Sequence, residues 1–178
     1  GFVMDAKLFS PKWAEYGRVL VTNEHVISPH GSGQLRPEEA VVRFSQASPD
    51  QSFLLGPVLW CSRKEHHDVT ILALGDFPSG AGSLAELAPF KRLEDQDGKP
   101  ETRERVTVMG HPAGSDRLHL GIENLEIEDL DYARPTAEPE RVWYKCPTLG
   151  GNSGSPVLTW QKLEAAAVHH REIRVRGC

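Results

Sequence analysis

The stretch GGNSGSP, residues 150–156, says more about the fold than any other part of this chain. It places Ser153 in a tight turn among glycines, which reach positive φ at little steric cost and let another molecule approach the backbone closely. Such a turn pushes the Ser153 hydroxyl outward while the backbone amides of Gly151 and Ser153 point at one spot. Two converging donors of this kind stabilise a developing negative charge. Taken alone, the stretch is also compatible with an ordinary surface loop.

Two upstream segments carry residues that could activate this serine. Residues 19–27, VLVTNEHVI, are typical of an apolar strand that ends near His25, and residues 66–74, HHDVTILAL, open with Asp68 and continue as a second apolar strand. A serine hydroxyl needs an adjacent base, and imidazole suits this task because its ordinary pKa lies near 6.5. A carboxylate behind the imidazole fixes its tautomer. The order His25, Asp68, Ser153 therefore predicts a nucleophilic triad.

These segments, in this order, resemble the trypsin-like, chymotrypsin-fold serine peptidases, and most closely the bacterial branch that includes the glutamyl endopeptidases. The family's motifs read TNEH, DVTIL and GNSGSP here, and the resemblance extends from about residue 1 to residue 170. It implies a serine endopeptidase with an acyl-enzyme intermediate, in which His25 is the general base, Asp68 its orienting partner and Ser153 the nucleophile. Gly151 and Ser153 would supply the oxyanion amides. A protein or peptide substrate and no cofactor are implied.

The pattern of short apolar runs between Gly, Pro, Asp and Ser clusters predicts an all-β fold. The resemblance implies two antiparallel six-stranded-type β-barrels with the active site in the cleft between them. We expect an N-terminal barrel over residues 1–78, an inter-barrel linker over 79–104 and a C-terminal barrel over 105–178. The C-terminal barrel is expected to be incomplete, because the family adds a strand and a helix beyond the point where this sequence stops. Strands are predicted near residues 19–27, 40–44, 53–61, 69–74, 105–110, 118–127, 142–146, 156–160 and 163–169.

Two residues bear on substrate choice through the same resemblance. Thr148 lies five residues before Ser153, and His169 lies in the strand AAAVHH. In the glutamyl endopeptidases, residues at these places line the primary specificity pocket. An imidazole and a hydroxyl can hold a carboxylate, the imidazole gaining charge as the acid binds. A preference for Glu or Asp before the scissile bond is therefore expected, the alternative being that His169 is simply packed in the second barrel.

Two other functions stay open at this point. The family has small residues after the position of His170, whereas this chain has Arg171 and Glu172, so the domain could instead be a catalytically impaired, trypsin-like binding module. A metal-binding β-domain using His66 and Asp68 is the weaker alternative. Adjacent histidines on a strand point to opposite faces, so His66 and His67 cannot easily share one ion. We therefore expect no metal ligands.

Composition excludes several partners. The chain has 178 residues, of which 39% are hydrophobic and 25% charged, with a net charge of −5. A nucleic-acid surface needs a basic stripe and a membrane span needs roughly 20 apolar residues, so neither partner is expected. Cys61, Cys146 and Cys178 give no readable disulfide framework, a bond between the last two being the one alternative. A reducing bacterial cytoplasm is favoured over secretion. The start at Gly1 leaves export and fused domains open.

Overall fold

The computed structural model describes residues 1–31, 33–44, 52–75, 89–92, 103–121, 127–130, 142–144 and 150–170. Within these ranges the regular secondary structure is mostly β-strand, which confirms the predicted fold class. The only helices of this part are short 3-10 turns: Ala6–Leu8, Pro11–Tyr16, Pro37–Glu39 and Pro112–Gly114. The strands are β1 Phe2–Asp5, β2 Arg18–Thr22, β3 Val41–Val42, β4 Phe53–Ser62, β5 Val69–Leu74, β6 Val106–Gly110, β7 His119–Leu120, β8 Ile127–Leu130, β9 Val142–Tyr144, β10 Pro156–Thr159 and β11 Ala165–Val168.

The N-terminal strands form one antiparallel sheet in the order β1-β2-β5-β4-β3. Strand β2 pairs with β5 so that Val19 faces Ala73 and Thr22 faces Thr70. The C-terminal end of β2 therefore lies beside the N-terminal end of β5. This register brings the residues that follow Thr22 close to the residues that precede Thr70, although more than 40 positions separate them in the sequence.

Strand β2 is buried on both faces, which explains why its sequence is continuously apolar. Val19 and Val21 belong to a core cluster shared with the second sheet, whereas Leu20 belongs to a cluster within the first sheet. This division follows from the two-residue period of a strand. The shared cluster includes Leu158 of β10 and Ala165 of β11. One face of the first sheet thus packs against the half of the molecule that carries Ser153.

The second sheet has the order β11-β10-β6-β7, and β8 pairs with β9. Its core cluster contains Val106, Val108 and Val157. Strand β10 begins at Pro156, so the turn around Ser153 leads directly into the centre of this sheet. The two sheets together have the architecture of the two-barrel, chymotrypsin-like fold that the sequence predicts.

A short segment connects the halves. The Phe90 amide donates to the Val3 carbonyl at 2.9 Å, and the Ala165 amide donates to the Lys91 carbonyl at 2.7 Å. Residues 89–92 therefore bond to β1 on one side and β11 on the other. The rest of the expected linker, residues 79–104, lies mostly outside the described ranges, so the domain boundaries stay a prediction.

Individual strand limits differ from expectation at informative places. Strand β2 ends at Thr22 rather than Ile27, because residues 24–26 form a turn that carries His25. Strand β1, which the sequence reading missed, covers the edge of β2. His66 and His67 lie in a turn before β5 and not on a strand, so the argument that their side chains alternate across a sheet does not apply to them.

Candidate active site

Asp68 occupies the last position before β5 and is fully buried. Its φ of 52° lies in the left-handed region, which aspartate tolerates better than most residues. The preceding turn sets this conformation, because the amides of His66 and Asp68 both donate to the Arg63 carbonyl, at 2.9 and 3.1 Å. The Asp68 carbonyl accepts a 2.8 Å hydrogen bond from Asn23 Nδ2. The carboxylate is therefore aimed by a fixed backbone.

His25 contacts Asp68 at two points. The His25 amide donates to Oδ1 at 2.9 Å, and the His25 ring nitrogen Nδ1 lies 2.6 Å from Oδ2. Because an ionised carboxylate only accepts hydrogen bonds, Nδ1 carries the proton and Nε2 is left as the basic nitrogen. The turn that carries His25 is held to β5, since Thr70 Oγ1 donates to the Ile27 carbonyl at 2.8 Å. The sequence-predicted pair is thus brought together, with the imidazole in the tautomer that general-base catalysis needs.

The electrostatics of Asp68 favour its charged form. Burial opposes ionisation, but the hydrogen bonds that the His25 ring and amide donate outweigh it, together with the positive charge that His25 and His170 can carry. The net result is a pKa of the Asp68 carboxyl below its ordinary value of 3.8. A buried carboxylate that stays ionised is what orients and stabilises an imidazolium.

Ser153 lies just before β10 of the second sheet, in a turn shaped by glycine. Gly154 has φ of 80°, and a Cβ at this position would lie 2.5 Å from Thr22 Oγ1 and 3.2 Å from the Asn23 amide nitrogen. The turn therefore touches the end of β2 within a few residues of His25. Only glycine permits both this backbone conformation and this approach. The contact is made by Gly154, the neighbour of half-buried Ser153, so the Ser153 turn lies beside the end of β2 that leads into the His25 turn.

The predicted oxyanion amides also lie in a constrained backbone. Gly151 has φ of 100°, and a Cβ there would lie 2.7 Å from the Ala113 amide nitrogen. That amide donates to the Gly150 carbonyl at 2.6 Å, so a second loop supports the turn. Neither the Gly151 nor the Ser153 amide donates to an acceptor in the described part of the chain. Within that part of the chain, the two amides can therefore donate to an incoming carbonyl oxygen.

One of the two predicted specificity residues can be located. His169 is buried, and its backbone pairs with the two residues that follow Ser153: the Gly154 amide donates to the His169 carbonyl at 2.9 Å, and the His169 amide donates to the Ser155 carbonyl at 2.8 Å. Its Nδ1 lies 2.6 Å from the Tyr144 hydroxyl. Thr148, the other predicted residue, lies outside the described ranges, as do Cys146 and Cys178.

Sequence reasoning missed His170. Its Nδ1 is hydrogen-bonded to Oδ2 of Asp68, the oxygen that also accepts from His25, and its ring centroid lies 6.0 Å from that of His25. A span of 102 residues separates His170 from Asp68. The only signal was the adjacent pair His169-His170 at the end of a strand, where alternation directs the two rings to opposite sides.

Neither His66 nor His67 joins a group of three or more converging ligand atoms in the described part of the chain. His67 Nδ1 lies 3.2 Å from Ser62 Oγ instead. Across the described residues, the group whose ligand atoms gather is His25, Asp68 and His170. None of the helices in these ranges has the length and apolar character needed to cross a bilayer.

The fold and this juxtaposition of hydroxyl turn, imidazole and carboxylate define a trypsin-like domain. The sequence model of the trypsin-like peptidase domain matches residues 1–168, and the chain belongs to that family. This confirms the family and the serine-protease class inferred from the three motifs. The match does not distinguish the glutamyl-endopeptidase branch from others.

Two curated relatives are much longer than this chain. The uncharacterized protein y4fB of Sinorhizobium fredii is 29% identical over 171 residues, which are 86% of this chain and 24% of that protein. Secreted RxLR effector protein 73 of Plasmopara viticola is 38% identical over 68 residues, 38% of this chain and 17% of the relative. The chain thus spans less than a quarter of the length of either relative.

Two solved structures of one protease have a similar fold. The active form of the Rv3671c protease from M. tuberculosis gives a TM-score of 0.52 at 19% identity, covering 84% of this chain and 57% of that one. The inactive form of the Rv3671c protease gives a TM-score of 0.53 at 21% identity, covering 83% and 64% respectively. At such identities the likeness establishes the fold.

Proposed function

We propose that this domain is a serine endopeptidase that uses Ser153, His25 and Asp68. The observation that carries the proposal is the pairing of His25 with a buried, ionised Asp68 directly beside the Ser153 turn. In the reaction, Ser153 Oγ bonds to the peptide carbonyl carbon while His25 Nε2 accepts the hydroxyl proton. The carbonyl oxygen becomes an anion that the Gly151 and Ser153 amides stabilise.

The second half of the cycle uses the same groups. His25 gives its proton to the amine as the C–N bond breaks, which leaves an acyl-enzyme on Ser153. Water then attacks the ester carbonyl while His25 Nε2 accepts a proton from it. The C–O bond to Ser153 breaks as His25 returns this proton to Oγ, which releases the carboxylic acid product and restores the enzyme. Asp68 stays ionised and accepts the hydrogen bond from Nδ1–H throughout, so it orients the ring and stabilises the imidazolium.

A fluorophosphonate probe tests this proposal, because it labels only an activated serine. We expect covalent labelling of the folded protein, loss of labelling in Ser153→Ala and strong slowing in His25→Ala. Ser155→Ala is the matched control, since Ser155 is a serine of the same turn that is not assigned a role. Labelling that survives in Ser153→Ala would contradict the assignment of the nucleophile.

A specific observation also favours the alternative of a binding module with impaired catalysis. His170 bonds to the oxygen of Asp68 that His25 uses, so the carboxylate is divided between two rings. A module of this kind binds peptides in the cleft without cleaving them. Well-folded protein that binds a peptide but is never labelled by the probe supports this alternative over the peptidase.

We further propose the acidic preference of the glutamyl-endopeptidase branch. Support comes from His169, whose backbone is hydrogen-bonded to Gly154 and Ser155, the two residues that follow Ser153, and whose ring is oriented by Tyr144. An imidazolium close to the first substrate side chain attracts a carboxylate. Thr148 is proposed as the second pocket residue from the sequence resemblance.

The test compares peptides that differ only in Glu or Gln before the scissile bond. We expect a higher kcat/KM for Glu, and the ratio should fall in His169→Gln, which removes the charge but keeps a polar side chain. Preferential cleavage after Lys, Arg or Phe contradicts the acidic preference without affecting the proposed triad.

The cellular setting is proposed on narrower grounds. Cys61 is a free thiol, which supports a reducing bacterial cytoplasm. The greater length of both curated relatives supports additional domains in the protein that contains this segment. Protein or peptide substrates follow from the family.

A further inference from the structure

We infer that His25, Asp68 and His170 form a binding site for one divalent transition-metal ion of the Zn²⁺ type. Each residue offers one ligand atom, and the three atoms lie within 4.8 Å of one another. Two imidazoles and a carboxylate are ligands that Zn²⁺ prefers, and sites with three protein ligands leave a fourth position for water. The inference concerns binding and holds whether or not the domain is a peptidase.

The distances suit an ion after small side-chain rotations. Metal bonds of about 2.0–2.2 Å to nitrogen and oxygen place tetrahedral ligand atoms about 3.3 Å apart. His25 Nδ1 is now 2.6 Å from Asp68 Oδ2, and His170 Nδ1 is hydrogen-bonded to the same oxygen. The two ring nitrogens must therefore move outward by less than about 1 Å. As the metal takes the place of each Nδ1 proton, Nε2 of the same ring takes up a proton, so both imidazoles bind in the neutral form.

The surroundings of Asp68 support a ligand role. Oδ1 remains bonded to the His25 amide, and the Asp68 carbonyl remains bonded to Asn23 Nδ2, when Oδ2 turns to an ion. Such outer hydrogen bonds orient ligating carboxylates. The side chains of His25 and His170 are 24% and 18% exposed, so an ion can enter from the cleft.

His170 supplies the third ligand that a metal site needs. The His25–Asp68 pair alone supplies two ligands, whereas His170 adds a third from the residues that follow β11 in the second sheet. An ion held by all three would tie the two halves of the molecule together and raise the unfolding temperature by mass action. It would also occupy Nδ1 of His25, so the proposed peptidase would be inhibited reversibly.

Calorimetric titration of ZnCl₂ into metal-free Ser153→Ala protein tests the inference, because this variant cannot digest itself and keeps all three ligands. We expect saturable binding of one ion and a matching rise in unfolding temperature. Adding His170→Gln should weaken binding by at least about tenfold, since even the loss of a hydrogen-bond partner of a ligand costs about 10- to 100-fold in metal affinity. Adding His25→Gln to Ser153→Ala should weaken Zn²⁺ binding to a similar extent. This second double variant tests the inference if the one with His170→Gln does not fold. His119→Ala, a change at an exposed histidine, is the matched control.

Three results would overturn the inference: no saturable binding, an unchanged affinity when His170 or His25 is replaced, or an equal loss with His119→Ala. A separate arm measures fluorophosphonate labelling of the Ser153 protein with and without Zn²⁺. Slower labelling that a chelator reverses is the expected result. If the metal-free protein is never labelled, the peptidase proposal fails while the titration still decides the metal site.

Discussion

The two halves of the cleft are held in place by different kinds of interaction. On the first sheet, side chains fix the site: Asp68 bonds to the His25 ring and amide, Asn23 bonds to Asp68, and Thr70 bonds to the turn that carries His25. On the second sheet, backbone fixes it: the Ser153 turn depends on glycines at positive φ and on amide–carbonyl bonds to His169. The difference suits the chemistry of each half.

A base must keep a defined tautomer, which requires side-chain partners for the ring. An anion site beside a nucleophile instead requires backbone amides that point outward. Side chains at positions 151 and 154 would obstruct this backbone, so glycine occupies both. We therefore expect substitutions in the first half to act through protonation and orientation, and those in the second half to act through steric conflict with the backbone.

The largest expected effect is the loss of activity when one residue from either half is replaced, and here the two halves should behave alike. Ser153→Ala and His25→Ala should each lower kcat by roughly 10⁴- to 10⁶-fold, because members of a triad act as a unit. The double variant should lose little more than either single one. Turnover of a peptide reporter measures this, and an unchanged urea midpoint shows that the fold is intact. Additive losses would mean that the two residues act independently.

The next effect is a loss of stability that tests whether steric contact with the backbone fixes the second half. Gly154→Ala places alanine at φ of 80°, with its Cβ in steric conflict with Thr22 Oγ1. Gly114→Ala places alanine at a similar φ of 72°, but no atom lies within 4 Å of its Cβ. The left-handed conformation costs about 1–2 kcal/mol in both, and overpacking adds about 1–3 kcal/mol to Gly154→Ala alone. Urea unfolding compares the two variants. Equal losses would show that the turn does not press against the end of β2.

Sequence patterns predicted the strands that lie at the centre of each half and the residues at their ends. Strand β5 begins and ends where the apolar run does, because both of its faces are buried. The patterns could not supply His170, since its contact with Asp68 depends on how two sheets meet and not on any local periodicity. They also extended β2 to Ile27, because the apolar pair Val26-Ile27, at the end of the turn that carries His25, has the same signature as a strand.

A smaller effect concerns the charge of Asp68. Its pKa is lowered by folding, so the ionised form stabilises the folded state. This contribution is complete above the ordinary pKa of 3.8 and is lost as the pH falls through the lower folded-state pKa. Asp68→Asn should therefore flatten the decline of unfolding free energy below about pH 4. Urea midpoints between pH 6 and pH 2.5 measure it, with the exposed carboxylate variant Asp116→Asn as control. A decline as steep as that of the unaltered protein would contradict the assignment.

The smallest expected effect is the loss of unfolding free energy when either of two buried threonines, one in each half, loses its side-chain hydrogen bond. Thr70 Oγ1 donates to the Ile27 carbonyl at 2.8 Å in the first half, and Thr107 Oγ1 donates to the Gly121 carbonyl at 2.5 Å in the second. Replacing either by valine keeps the shape and removes one hydrogen bond, so each variant should lose about 1 kcal/mol of unfolding free energy.

Activity should separate these two variants where stability does not. Ile27 ends the turn that positions His25, so Thr70→Val should also lower kcat/KM, by roughly tenfold or less, because misplacement of a catalytic group is costly. Thr107→Val removes a bond that lies away from the Ser153 turn and should leave kcat/KM nearly unchanged. If Thr107→Val reduced activity as much as Thr70→Val, side-chain bonds would govern both halves, and the Ser153 turn could not be described as held by its backbone alone.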